Sequence, residues 1–255
     1  MEITSAPTAV PTWRWVIFRV VAGLFAFITA LFSVLFVIQT ITDDTKKVHT
    51  VHNYSGLCAY VAILAAGLAL AAWRPERMIA PFQAAAAASI AMVIAGLLGA
   101  DLVEGSYLVP LVVVVVLWLL HPARSAVLRI GTPRVAMLVL TVAAAVPSVA
   151  YALTQAALER NALPGDPHTE FHHYSGMAAT VLMLTAAALV ASLGSAGSRV
   201  VAWLAGLGMA LLGLISVVYP DHTSALASPW SWLVVAWGVV FVAVAEAWAR
   251  MEAAT

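Results

Sequence analysis

The sequence predicts an all-α, polytopic membrane protein with eight transmembrane helices. These would form two tandem four-helix bundles related by a pseudo-twofold axis along the membrane normal. Three observations predict it: an extreme apolar composition, eight apolar segments of spanning length, and a phrase written twice 120 residues apart.

Of 255 residues, 63% are hydrophobic and 9% charged, whereas soluble domains carry about 25% charged residues. The net charge is zero, and no basic stripe or Gly-rich phosphate loop is present, so nothing favours nucleic acid as a partner. The expected partner is the lipid bilayer, with other membrane proteins as further candidates. The one cysteine, Cys58, excludes an internal disulfide, a CxxC redox pair and a CxxCH haem attachment; it reads as a small buried apolar residue.

The apolar segments follow in order, each near the ~20 residues that cross a ~30 Å hydrocarbon core. Val20–Ile38 is too long for a cleavable signal and reads as a retained first helix. Tyr54–Trp73 ends at an interfacial Trp, and Met78–Ala100 follows after Arg74 and Arg77. In the fourth, the unbroken run Tyr107–Leu120 would be only about 21 Å long, so the helix is expected to begin near Leu102 and to end before Pro122. That start places Glu104 about one turn inside the boundary, where a carboxylate must be paired, protonated or wet. Val135–Gln155, Tyr174–Leu193, Val200–Tyr219 and Ala225–Ala245 complete the set. Backbone groups in lipid must be satisfied internally, so runs of this length are helices.

An eight-helix count puts nine arginines (14, 19, 74, 77, 124, 129, 134, 199 and 250) on one side and Lys46, Lys47 and Arg160 on the other. This bias predicts both termini in the cytoplasm of a cell-membrane protein.

His52-Asn-Tyr54-Ser55-Gly56 matches His172-His173-Tyr174-Ser175-Gly176, and the same offset pairs Asp101 with Asp221. The chain therefore divides into units 1–123 and 124–255, parallel because four helices is an even number. Tyr at a helix start suits the interface, and Ser-Gly suits close helix contact.

Six of the seven histidines gather on the outer face: His49, His52, His168, His172, His173 and His222. Eight of the twelve acids share that face, among them Asp101, Glu104, Glu159, Asp166, Glu170 and Asp221. Imidazole with carboxylate suits a transition metal. His49 and His52 are i, i+3, and His168 and His172 are i, i+4, spacings that share a helix face. Candidate metal ligands are His49, His52, Asp101, Glu104, His168, Glu170, His172, Asp221 and His222. Candidate cofactor ligands, haem included, are His52, His172, His173 and His222. Antiparallel packing is expected to bring His52 towards Asp101 and Glu104 in one unit, and His172 or His173 towards His222 in the other.

Two tandem four-helix units with a His at the outer start of the second and sixth helices resemble haem A synthase. Glu170-Phe171-His172 has that family's acid–His spacing, and Asp221-His222 stands where its last His would be. His52 matches too, but Asp101 and Glu104 occupy the region of the fourth-helix His, and the family's His-Arg pair and loop cysteines are absent. Small four-helix membrane cytochromes are similar to the same degree. The resemblance implies a haem- or metal-binding membrane redox protein. A transporter or channel for a metal ion, proton or small solute is the alternative, as is a non-catalytic assembly or partner protein. Whether the chain is an enzyme is left open by the residues.

Overall fold

The computed structural model describes residues 11–103 and 106–254. Among them, seven helices are long and apolar enough to cross a membrane. The first, α1, is Thr12–Thr42. After a 3-10 stretch, Asp44–His49, α2 runs as Thr50–Gly56, a π-helical stretch Leu57–Ala65, and Ala66–Trp73. The rest of the seven are α3 (Ile79–Gly99), α5 (Val135–Asn161), α6 (His173–Ser192), α7 (Ser198–Val218) and α8 (Trp230–Ala254), and a shorter apolar helix, α4 (Leu108–Leu120), lies between α3 and α5.

The fourth apolar segment falls short of the expected start near Leu102. The chain turns at Ala100 in the left-handed region (φ 65°) and again at Ser106 (φ 55°), so helix resumes only at Leu108 and α4 has 13 residues. Glu104 lies outside the described residues. His121 closes α4, its Nδ1 accepting from the Ala123 N–H at 3.0 Å. Its burial beneath Phe18 and Phe82 pushes the imidazole pKa down to about 4, so it is neutral.

Which helix sits in the middle follows from side-chain size. In α6, Ala, Gly, Ser and Thr let neighbouring backbones approach, and lipid offers bulky side chains as good a solvent as a protein core does. Hence α6 is central, packed against α2, α3, α5 and α7, with 72% of its apolar window buried. The Phe- and Leu-rich α1, only 11% buried over its window, lies at the periphery with Leu24, Phe27, Leu31 and Phe32 facing outward. α7 and α8 meet through glycines: a Cβ at Gly238 would lie 2.3 Å from the Gly206 carbonyl oxygen. At the end away from the histidines, Arg199 and Trp203 both donate to Glu246, and Arg134 donates to Glu252. Cys58 is buried, as expected of a small packing residue.

Candidate metal centre

Packing α2 against α6 makes the two copies of the repeated phrase face one another. His49 ends the 3-10 stretch and His52 lies in the first turn of α2. His173 opens α6. His168 is held in the loop by an Asx turn: Asp166 Oδ1 accepts from the His168 backbone N–H and from its ring Nδ1–H, each at 2.9 Å. The four imidazoles form one pack, with all six centroid separations between 4.3 and 6.5 Å. Rings bound through nitrogen at ~2.0–2.1 Å around one tetrahedral ion would stand about 5 Å apart. One ligand nitrogen from each of the buried residues His49, His52 and His168 lies within 4.8 Å of the others.

Hydrogen bonds behind the rings fix where their protons sit. Ser224 donates its hydroxyl to Gln155 Oε1 at 2.7 Å, so its oxygen accepts from His52 Nε2–H at 3.0 Å. The neutral His52 ring is then left with a bare lone pair on Nδ1, a buried atom with no partner. His49 Nδ1 and His173 Nε2 are buried without partners as well. In His168 Asp166 holds the Nδ1–H, and Nε2 faces the Val48 carbonyl oxygen at 3.4 Å, an oxygen that only accepts, so Nε2 donates there when it carries a proton and is free for an ion when it does not. Two acceptors so placed repel unless a proton or cation stands near them. Burial alone would raise the Asp166 carboxyl, but bonds from His168 and Tyr174 outweigh it and hold it below the usual carboxylate value.

Ser224 itself has a left-handed backbone (φ 67°), held by Tyr151, which donates to its carbonyl, and by Gln155 and His52. Because outer partners of this kind tune ligand affinity typically 10- to 100-fold, Ser224→Ala is expected to weaken metal binding by that factor. Competition with a chromophoric chelator would measure it, and an unchanged affinity would deny Ser224 this part.

A second group lies beside the first. His172, whose left-handed backbone (φ 52°) precedes α6, places Nδ1 3.1 Å from both Asp101 Oδ2 and Glu159 Oε1. Glu159 Oε2 also accepts from the Ser175 N–H at 3.2 Å. These three side chains offer a ligand atom each within 4.8 Å. Here, however, His172 Nδ1 shares a proton with the two carboxylates, which an ion would have to displace. The group reads as a hydrogen-bonded charge cluster.

The expected pairings are thus exchanged between the halves of the chain. His172 meets Asp101 and not His222, while His52 joins His168 and His173 and not Asp101. His222 lies against the Tyr219 ring, 5.3 Å away. Glu170 and Asp221 are exposed. Glu159, Gln155 and Ser224 complete the site although none was among the expected ligands.

A cavity of about 280 Å³ borders both groups, with His52, His172 and His173 in its wall. Comparison with known protein families, with curated proteins and with solved structures finds no match to this chain.

Proposed function

We propose that this chain is a multi-pass cell-membrane metalloprotein, built as tandem units 1–123 and 124–255 with cytoplasmic termini. It holds a first-row divalent transition-metal ion at its extracytoplasmic rim. His49, His52 and His168 are the ligands, and His173 stands beside the fourth position, where the cavity begins. The observation that carries this reading is the bare, buried Nδ1 of His52, forced by the Ser224–Gln155 hydrogen bond, on a ring packed against three other imidazoles. Imidazole nitrogen suits zinc, copper, iron and nickel, and three His ligands plus an open position is the arrangement of catalytic zinc. Close packing of the rings favours one ion over a porphyrin, because the space between any two of them is taken by the other two. An ion so held polarises a carbonyl or lowers the pKa of its bound water.

Elemental analysis of detergent-purified protein, loaded with zinc and desalted, is expected to find about one ion per chain. An optical spectrum recorded alongside is expected to lack a Soret band. Metal at background level would reject the reading, and a Soret band with stoichiometric iron would replace the ion with haem.

A further inference from the structure

The cavity beside the imidazoles runs down into the membrane. Its wall passes from His173 to Thr180 along α6 and from Phe36 to Thr29 along α1. Seven residues on each helix correspond to about 10 Å of depth. α1 packs on α2 and α4, and the cleft separates it from α6. The mouth is lateral and apolar: Phe32 and Phe171 at its edge are 59% and 47% exposed. Deeper in, Met92 and Met177 line it. The imidazoles and Asn53 sit at the rim end, where His52, His172 and His173 meet, while the wall below them mixes Phe and Met with the hydroxyls of Tyr60, Tyr107, Ser33, Thr29 and Thr180, that of Ser33 being spent on the Thr29 carbonyl.

The repeated phrase supplies the deciding detail. Gly56 and Gly176, at matched places in the two copies, both line this cavity. A Cβ on Gly176 would meet nothing within 4 Å, and one on Gly56 would only touch the Tyr60 ring at an ordinary 3.7 Å. The glycines of α7 and α8 are different, since a Cβ there would collide with backbone. Glycine weakens a helix relative to alanine, and at these two sites no neighbouring helix requires it. What both glycines do is leave the cavity open.

We infer that the cleft between α1 and α6, kept open by Gly56 and Gly176, binds one acyl chain of a membrane lipid, with the carbonyl-bearing head at the imidazole end. The chain enters sideways from the bilayer past Phe32 and lies along Met92 and Met177. The inference names the ligand class of the proposed metal site. It rests on that reading only for what the carbonyl meets, since the chain pocket is defined by the cavity walls.

The test uses full-length protein in vesicles of phosphatidylethanolamine with a diazirine at the middle of one palmitoyl chain. Illumination followed by peptide mass spectrometry locates the label, and metal content is measured in each sample. Label is expected to concentrate on Met92 and Met177. Gly176→Leu, which fills the cleft, is expected to lower it at least tenfold with metal content unchanged. Gly23→Leu, a glycine with open space but outside the cavity wall, is expected to leave it as it is. Should Gly176→Leu fail to elute as a single folded species, Gly56→Leu fills the same cleft from the opposite wall. Equal labelling of the filled and native proteins would overturn the inference. So would label no denser in the cleft than on outward-facing Leu24 and Val146, which would mark annular lipid only. Cleft labelling without bound metal would reject the metal reading and leave the lipid site standing; metal without cleft labelling would do the reverse.

Discussion

His168→Ala and His52→Ala are each expected to reduce bound metal from about one ion per chain to less than a tenth of that. The size of the effect follows from how few neutral donors the site has. Ser224 fixes the His52 proton on Nε2, and Asp166 holds the Nδ1–H of His168, so the nitrogen each ring can offer an ion is His52 Nδ1 and His168 Nε2, the latter by giving up its contact with the Val48 carbonyl. Each therefore contributes one lone pair of a three-ligand set, and the remaining free imidazole, His173, is already beside the fourth position. A three-His centre reduced to two keeps a weak chelate, and a single wash with a competing chelator is enough to empty it. The same substitution at His222, which lies against Tyr219 outside the four-ring pack, is expected to leave the metal content at the native level. That contrast separates ligation from a general loss of histidines at the rim. Elemental analysis of the three variants after desalting checks it, with elution profile as the fold control. If the His168 and His52 variants retain metal equal to the native chain, the ion, wherever it sits, is not in this cluster.

What could be read from the sequence, and what could not, divides along the line between one-dimensional and three-dimensional signals. Apolar runs fix membrane helices because the bilayer demands them, and seven of them form. The fourth segment is shortened by left-handed turns at Ala100 and Ser106, and neither residue type announces such a turn. The histidine pack was half legible, since the two phrases locate His49, His52, His168 and His173 at the same level. Their meeting depends on α2 lying against α6, which no spacing encodes. The expected pairings within each half instead followed from treating the two halves as separate bundles. One signal was present and unused. Tyr151, Gln155 and Glu159 recur every four residues at the end of an otherwise apolar helix, a polar stripe on one face. The structure uses all three there, Tyr151 and Gln155 on Ser224 and Glu159 on His172. Ser224 had no sequence mark at all, because its role depends on a turn that lies beyond α7.

The Asp101–His172–Glu159 group predicts a large effect on stability rather than on metal. The three side chains are only 6%, 19% and 5% exposed, and a single imidazole nitrogen serves both carboxylates. Removing it leaves two buried acids facing each other with no N–H between them. Breaking a buried pair in this way costs roughly 3–5 kcal/mol, since the remaining charge stays desolvated. His172→Asn is the variant of choice, because asparagine tolerates the left-handed backbone at this position better than an apolar residue would. In a chain of this size each kcal/mol is worth about 2–4 °C, so the unfolding midpoint in detergent is expected to fall by about 10 °C. Glu159→Gln alone keeps an acceptor for the Ser175 N–H and is expected to be mild. Added to His172→Asn it removes one of the two opposed charges, and most of the lost stability is expected to return. A mutant cycle that comes out additive would mean that the three side chains do not act as one unit. The close approach of Asp101, from the end of α3, to the start of α6 would then hold through backbone packing alone.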